Sequence, residues 1–288
     1  MNDSEHNHQV ATALRTIAEK AIHSAVLMDA AELARLLRIN LPANPDMEQV
    51  TFPTRRVRMG ETLVHAGDAF QSLYVVRSGS LKTVTLDRSG GEQIVAFPIQ
   101  SDVVGIDGID AGRYASSVVA LEDSEVVILP FGQLSRLARQ CTGLETLIYR
   151  TISRELVRDQ GLLWMLGSLG AEARVAAFLL NLSERFGAIG YSRRSFNLRM
   201  TRQEIGSYLG LKLETVSRAL SAFDAAGWVN VKQKRIDIVD PAALRHSMEE
   251  RAERSECAVK PLHPAPRPRG AGDLEAPPVT RHLTALAA

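Results

Sequence analysis

Three polar side chains stand within one helical turn of each other in the C-terminal half of the chain. Glu214, Ser217 and Arg218 are spaced at i, i+3 and i+4, so a helix would place them on one narrow stripe. Arginine can donate two hydrogen bonds to O6 and N7 of guanine, a carboxylate can accept one from cytosine, and a serine hydroxyl suits several bases. The alternative is a solvated helix face that carries a Glu–Arg pair. The elements that carry the stripe decide between these two interpretations.

The residues around the stripe predict a helix-turn-helix. Thr201 with Glu204 three residues later is a capping box, which predicts a helix start, and Gly210 ends that helix. A second helix follows almost at once, and its apolar residues are spaced to pack inward: Leu213, Val216, Ala219, Leu220 and Phe223. Because two short helices with polar side chains early in the second are typical of DNA-binding units, we interpret the stripe as a candidate base-reading surface.

The flanking segments predict a winged domain over residues 170–247. Residues 171–187 have the spacing of an amphipathic helix, and residues 227–239 alternate as a β-hairpin with a cationic tip. From residue 191 to residue 239, nine Lys and Arg residues outnumber four Asp and Glu residues, although the whole chain has a net charge of +1. Such a basic segment is expected on a surface that faces phosphates. The candidate contacts to the DNA backbone are Thr201, Arg202, Lys212, Lys232 and Lys234.

Residues 50–130 predict an antiparallel β-roll. Short runs rich in Val, Leu and Ile recur there between glycines, and many short strands at close spacing are typical of a roll or barrel. The preceding residues 1–49 form a separate segment that we predict to be partly helical. Residues 248–288 are rich in proline and poor in large apolar residues, which predicts a disordered tail.

Residues 131–169 predict a long helix with a dimerisation seam. Seam residues recur at alternating spacings of three and four, the pattern of two helices packed side by side. They are Tyr149, Ile152, Leu156, Asp159, Leu163 and Leu166. The alternative is a helix packed only on its own domain. Asp159 interrupts the apolar seam, and two such carboxylates would repel each other across a twofold axis. We hypothesise that Asp159 keeps dimerisation weak and adjustable.

Composition excludes several classes of protein. The 288 residues can hold two domains, and no apolar run is long enough to span a bilayer. The N-terminus lacks the apolar core of a signal peptide, so we expect a cytoplasmic protein. Two distant cysteines, Cys141 and Cys257, give no disulfide framework. The sequence offers no nucleophile–base pair, metal cluster or phosphate-binding loop, and we therefore do not predict an enzyme.

These segments resemble the CRP/FNR superfamily of bacterial transcription regulators. Residues 200–211 and the run Glu214-Thr-Val-Ser-Arg218 carry the likeness in the reading unit, and the Glu-x-x-Ser-Arg spacing is similar to the FNR and FixK branch. Gly60-Glu-x-Leu63, Gly67-Asp68 and Leu73-Tyr-Val-Val-x-Ser-Gly79 resemble the cyclic-nucleotide-binding fold. The resemblance covers roughly residues 50–245. One departure is Lys212, where a Ser or Thr N-cap is expected.

The resemblance implies an α+β protein that consists of an N-terminal antiparallel β-roll, a long dimerisation helix and a C-terminal winged helix-turn-helix. It implies a homodimer that reads TTGAT half-sites in a TTGAT-N4-ATCAA-like palindrome, with base contacts from residues 214, 217 and 218. It further implies an activator of genes for oxygen limitation or nitrogen-oxide metabolism. Roll loops, especially residues 106–113, are the implied contacts for RNA polymerase.

The family's ligands have no clear binding residues here. Nucleotide-binding members carry a Gly-Glu-Leu run and an Arg-Ser or Arg-Thr pair, whereas Val104 to Ser117 contains neither, and Arg113 is an outside candidate for the phosphate. FNR-type sensors hold a [4Fe–4S] cluster with four cysteines. This chain has only Cys141 and Cys257, so we predict no such cluster and no metal site. We predict no cofactor. Haem, with His23 or His65 as a candidate ligand, and a nucleotide stay open as alternatives. Control by a ligand, by oxidation of Cys141 or by abundance also stays open.

Overall fold

The computed structural model describes residues 26–39, 50–86, 90–139 and 142–256. The first part is a roll of two antiparallel sheets. Its strands are β1 Leu27–Asp29, β2 Thr51–Val57, β3 Thr62–Val64, β4 Ser72–Ser78, β5 Leu81–Leu86, β6 Glu92–Ala96, β7 Val103–Val104, β8 Ser117–Ala120 and β9 Ser124–Pro130. One sheet has the strand order β1-β2-β9-β4-β7 and the other β3-β8-β5-β6. The predicted antiparallel roll is therefore confirmed.

The central strands of the larger sheet are buried on both faces. Val75 and Val76 of β4 are both inaccessible to solvent, and they belong to different apolar clusters. Val126 and Val127 of β9 divide between the same two clusters. Successive side chains of a strand point to opposite faces, so this sheet separates the two clusters. That burial explains why both strands are continuous apolar runs in the sequence.

The roll begins before residue 50, where the prediction placed its start. Strand β1 pairs with β2 in the register Met28–Phe52, and helix α1 (Ala30–Leu37) follows it with an Asp29 N-cap. Both elements place side chains in a roll cluster. A three-residue strand leaves too short an alternation for a sequence pattern to detect. Residues 1–25 and 40–49 lie outside the described residues, as does His23.

Two helices replace the single helical pattern predicted over residues 131–169. Helix α2 is Phe131–Ala138 and helix α3 is Thr142–Ser168. At 1.5 Å per residue, the 27 residues of α3 span about 40 Å. Apolar periodicity does not detect the interruption, because Leu134 and Leu144 are both buried on either side of it.

The C-terminal domain is a winged helix-turn-helix. Its elements are α4 Ala171–Ala188, β10 Ser195–Asn197, α5 Arg202–Leu209, α6 Leu213–Ala225, β11 Val229–Lys232, β12 Arg235–Ile238 and α7 Pro241–Glu256. The three strands form an antiparallel sheet with the order β10-β12-β11. Helix α7 continues to Glu256, past the residue 248 at which the disordered tail was predicted to start. The remaining residues, 257–288, lie outside the described part of the chain.

The predicted capping box at the start of α5 is present. The backbone N–H of Glu204 donates to Thr201 Oγ1 at 3.1 Å, and the N–H of Thr201 donates to the Glu204 carboxylate at 2.7 Å. Lys82 of β5 reaches the same carboxylate at 2.8 Å. Burial alone would raise the pKa of Glu204, but the bonds from Lys82 and Thr201 hold the pKa below its usual range.

Two substitutions separate the cap from the ion pair. Thr201→Ala should lower the free energy of unfolding by about 1 kcal/mol and should keep a deficit in acid, because the N-cap acceptor for the Glu204 N–H is lost whatever the charge on Glu204. Glu204→Gln keeps a capping side chain but loses the charge pair with Lys82. Because the pKa of Glu204 is lowered in the folded protein, the ionised carboxylate stabilises the fold. This contribution to the free energy of unfolding is complete above the ordinary pKa of 4.5, and it is lost as the pH falls through the lowered folded-state pKa.

Urea unfolding over a pH series measures both effects. The deficit of Glu204→Gln should shrink toward zero in acid, whereas that of Thr201→Ala should persist. Glu92→Gln, which changes an exposed glutamate of β6, is the matched control and should resemble the wild type throughout. A Glu204→Gln deficit that is independent of pH would contradict the assignment.

Candidate nucleic-acid interface

The stripe predicted from spacing lies on the exposed face of α6. Glu214 and Arg218 are exposed and Ser217 is half-buried. Beneath them, four apolar residues of the same helix are at most 2% exposed: Val216, Ala219, Leu220 and Phe223. Neither Glu214 nor Arg218 forms an ion pair with any residue that the structure describes. The Glu–Arg pair of the alternative interpretation is therefore not formed. The stripe is exposed and can contact an external partner.

One predicted packing residue of α6 lies elsewhere. Leu213 was expected to point inward with the other apolar residues, but it is 43% exposed, so that prediction is wrong. Leu213 is the first residue of the helix and precedes the turn that packs on the core. Helical periodicity assigns a face, but it does not reveal where along its length a helix leaves the core.

The turn between α5 and α6 is closed by glycines. Gly210 adopts φ 63° and ends α5, and a Cβ on Gly206 would lie 2.6 Å from the Leu211 carbonyl oxygen. These positions allow the close approach that a tight helix-helix turn requires. The expected departure at Lys212 is present, since this residue is the N-cap of α6 and forms no side-chain cap bond. Lys212 is exposed at the N-terminus of the helix, an end that favours anions.

The wing presents two of the predicted cations. Strands β11 and β12 pair Lys232 with Arg235 across a two-residue turn, and both Lys232 and Lys234 are exposed. The N–H of Val231 donates to Asp224 of α6 at 2.8 Å, so the wing is fixed to the recognition helix. Thr201 is exposed and Arg202 is half-buried at the start of α5.

Two other cations of the basic segment are already paired. Arg199 pairs with Glu122 of the roll at 3.0 Å, and Arg235 pairs with Asp237 at 3.0 Å. These carboxylates compete with phosphate for the two arginines. The five predicted backbone-contact residues do not include either of them.

The predicted seam of α3 is largely uncovered. Tyr149, Leu156 and Leu163 are each more than half exposed, and Ile152 is 41% exposed. Leu166 is half-buried, and Asp159 is exposed among them. A contiguous row of exposed apolar side chains is typical of a protein interface. The structure therefore leaves this face of α3 available for a second copy.

The apolar face of α3 is wider than the predicted seam. Val157 and Trp164 are 63% and 56% exposed and lie beside it. The prediction missed them because a seam follows only two of every seven positions. Their own seven-residue spacing is the sequence signal that could have identified them.

A cavity of about 720 Å³ lies where the roll meets α3, α4 and α5. Its lining includes Gly105, Asp107 and Ser116, in the segment where nucleotide-binding members hold the cyclic phosphate. Ser116 donates a hydrogen bond to Asp107 at 2.5 Å, and a Cβ on Gly105 would lie 3.0 Å from the ring of Tyr114. The Asp107 carboxylate in this segment is therefore bonded to a serine hydroxyl of the protein itself.

The arginines that line this cavity are engaged by a protein carboxylate. Arg158 and Arg185 both donate to Asp102, and the buried Nε of Arg185 has no hydrogen-bond partner among the described residues. Arg113, the outside candidate, is not part of the lining and donates to the Gly67 carbonyl at 2.7 Å. Burial raises the pKa of Glu155 in the lining, although Arg158 opposes the shift.

The remaining cofactor candidates find little support in the described residues. His65 lies in an exposed turn away from the cavity, and its backbone N–H donates to Asp68 at 3.2 Å. Among residues 26–39, 50–86, 90–139 and 142–256, no group of three or more His, Cys, Asp or Glu could hold a metal ion. Cys141 and Cys257 lie outside these ranges. No helix in the same ranges is long and apolar enough to cross a bilayer.

Family models match both parts of the chain. A model of the cyclic nucleotide-binding domain matches residues 54–141, and a model of the Crp-like helix-turn-helix domain matches residues 173–247. The first match covers most of the roll and extends through helix α2, and the second lies within the winged domain.

Named relatives agree with these matches. The transcriptional activator protein Anr of Pseudomonas protegens is 41% identical over 214 residues, which are 74% of this chain and 88% of Anr. The fumarate and nitrate reduction regulatory protein of Escherichia coli is 43% identical over 188 residues, 65% of this chain and 75% of that protein. The structure of FixK2 from Bradyrhizobium japonicum matches with a TM-score of 0.62 and 27% identity, covering 68% of this chain and 97% of FixK2.

The fold and the reading unit thus define a class of DNA-binding regulators with a sensor-like roll. The chain belongs to the CRP/FNR family of transcription regulators, whose members bind DNA and typically act as dimers. The resemblance inferred from the sequence is confirmed, and so is the α+β fold class. The relatives are regulators of transcription and not enzymes, as expected.

Asp159 gives a direct test of the seam. Asp159→Ala should tighten dimerisation about fivefold, because the loss of one apposed pair of like charges removes about 1 kcal/mol of repulsion. Leu163→Asp should weaken it, and Arg154→Ala, an exposed change on the same helix, should leave it unchanged. Sedimentation velocity over a dilution series measures all three. Equal dissociation constants for Asp159→Ala and the wild type would count against the seam.

Proposed function

We propose that the protein is a homodimeric transcription activator that reads a TTGAT-N4-ATCAA-like palindrome. The observation that supports this most is the open stripe of Glu214, Ser217 and Arg218 on a helix whose opposite face is fully buried. Two relatives support the regulatory role, since one is named as a transcriptional activator and the other for fumarate and nitrate reduction. We accordingly propose that its targets are genes for oxygen limitation or nitrogen-oxide metabolism.

The three stripe residues divide the reading of the half-site. Arg218 donates two hydrogen bonds to the guanine of TTGAT, which gives the largest discrimination, while Glu214 accepts from the cytosine paired with it and Ser217 contacts a neighbouring base. The exposed tip of the wing contacts phosphate and positions the helix without reading bases. Thr201 already uses its hydroxyl in the capping box, so its contribution is the positive end of α5.

Dimerisation through α3 brings two recognition helices to half-sites about 34 Å apart, one turn of DNA. The exposed residues Tyr149, Leu156 and Leu163 support this interface. Residues 110–113 of the roll loop are exposed and are the proposed contact for RNA polymerase. The protein acts in the cytoplasm, where its DNA is.

No cofactor is needed for this function. A second candidate is a ligand-gated regulator whose roll binds haem or a nucleotide, and the cavity of about 720 Å³ is the observation that favours it. The lining favours the first candidate, because its acidic side chains outnumber its two arginines, which Asp102 already engages.

Arg218→Ala tests the reading assignment. It should lower the preference for TTGAT over a duplex mutated at the guanine by roughly 1–3 kcal/mol, the contribution of one bidentate pair. Lys232→Ala is the matched control, since loss of a phosphate contact should weaken all duplexes equally and reduce the salt slope by about 1. Fluorescence anisotropy at fixed salt measures both. An Arg218→Ala variant with an undiminished preference would disprove the role of Arg218.

The ligand-free protein should already bind selectively, because Glu214 and Arg218 are exposed and form no ion pair among the described residues that an effector would have to release. Anisotropy of aerobically purified protein on TTGAT-N4-ATCAA, against a scrambled duplex at the same salt, measures this. Selective binding implies control by abundance or partners. Equal binding to both duplexes would favour the ligand-gated candidate, and a melting shift with a cyclic nucleotide or a haem absorption band would then identify the ligand class.

A further inference from the structure

Asp102 is a buried carboxylate of the roll that neither the reading stripe nor the seam uses. It is 6% exposed and lies just before β7. Its backbone carbonyl accepts from Val76 of β4 at 2.9 Å, and its backbone N–H donates to Ile99 at 3.0 Å. The Ile99 N–H in turn donates to the Asp102 side chain at 2.8 Å. The carboxylate is therefore fixed to the central sheet of the roll.

Two guanidinium groups from two different helices converge on this carboxylate. Arg185 of α4 donates to one oxygen at 2.5 Å, and Arg158 of α3 donates to the other. Arg185 also donates to the backbone carbonyl of Phe97 at 2.8 Å. Asp102 thus joins the roll, the long helix and the first helix of the winged domain.

The same side of the roll carries the winged domain. The Phe97 ring lies 6.0 Å from the ring of Phe178 in α4 and 5.2 Å from that of Tyr208 in α5. The N–H of Ile94, on the edge strand β6, donates to the Ser207 hydroxyl of α5 at 3.0 Å. The winged domain, residues 171–256, is the reading head, and it therefore packs on its own roll.

Most donors of the two arginines are already engaged, although the buried Nε of Arg185 has no hydrogen-bond partner among the described residues. Both are engaged by Asp102, and Arg158 also pairs with Glu155 at 2.6 Å. Asp107 and Asp159 line the same cavity, so acidic side chains outnumber the two guanidinium groups there. An anionic ligand would have to displace a buried, fully bonded carboxylate from an acidic surrounding. The cluster is suited to holding protein elements together.

We propose that Asp102 is a positioning residue for DNA recognition, which fixes the two reading heads of the dimer at the separation that the half-site spacing requires. It acts through Arg185, which holds α4, and through Arg158, which neighbours Asp159 on α3. The inference rests on the proposed palindrome. Base discrimination belongs to the stripe on α6, so spacing preference and base preference should respond separately to substitution at Asp102.

The test compares duplexes whose spacer is one base pair shorter than, equal to, or one longer than the N4 spacer. Wild-type protein should prefer the N4 duplex. Asp102→Asn should reduce that preference about fivefold or more, as expected for the loss of an interdomain coupling. The ratio of affinities for TTGAT and a base-mutated half-site, at the N4 spacing, should not change.

Further variants separate positioning from folding. Arg77→Gln breaks a pair with Glu125 inside the roll (3.2 Å) and is the matched control, which should keep the full spacing preference. Arg158→Gln and Arg185→Gln each remove one of the two ion pairs with Asp102, and both should reduce the preference for the N4 spacer. Because an unpaired buried charge is destabilising, Arg158→Gln, the more exposed of the arginines at 39%, decides the matter if Asp102→Asn does not fold.

The outcomes distinguish the two levels of the proposal. If wild-type protein does not distinguish TTGAT from a scrambled duplex, the proposed function is wrong. If it does, and folded, dimeric Asp102→Asn keeps the whole spacing preference, the positioning role is wrong. A parallel loss of base and spacing preferences in both Asp102→Asn and Arg158→Gln would also overturn it, because a general structural defect would then suffice.

Discussion

The orientation of the recognition helix depends on the burial of α4 between the roll and the helix-turn-helix. One apolar cluster contains Phe97 of the roll, Phe178 and Leu179 of α4, and Leu220 of α6. Ala173 and Ala176 of α4 are fully buried, and their small side chains let neighbouring elements pack closely on α4. Burial of each large apolar side chain contributes about 1.5–3 kcal/mol. The reading head is therefore part of a core that continues into the roll, and not a module on a free tether.

Two sets of ion pairs across the same contact differ in how far they are buried. The ion pair between Glu122 and Arg199 is 27% and 47% exposed, so solvent and salt screen it and its contribution is small. Asp102 is buried, and a carboxylate in that position is costly unless both oxygens are bonded, as they are. The buried cluster therefore joins three elements of the chain, whereas the lysines at the tip of the wing are exposed. Contact between the domains and exposed positive charge are thus carried by different residues.

Local patterns predicted most of the fold and of the reading stripe. The capping box at Thr201, the left-handed Gly210 and the apolar spacing of α6 are short-range signals, and each has the predicted structural outcome. The same signals could not predict Asp102, because its arginine partners lie 56 and 83 residues away in the sequence. An ion pair across elements leaves no periodic trace. Strand β1 and the exposure of Leu213 were missed because a few residues at an element's end carry too little pattern.

The roll retains the fold of a nucleotide-binding domain while its binding segment has become part of the protein's own packing. Tyr114 donates to the Ser72 carbonyl at 2.8 Å and packs against Gly105, and Ser116 bonds to Asp107. These contacts fix the segment from inside. Only the short strand β7, Val103–Val104, separates it from Asp102. A contact on the exposed residues 110–113 would therefore act on a segment that adjoins the carboxylate holding both α3 and α4. The segment and the helices α3 and α4 are thus connected through the protein's own hydrogen bonds and ion pairs.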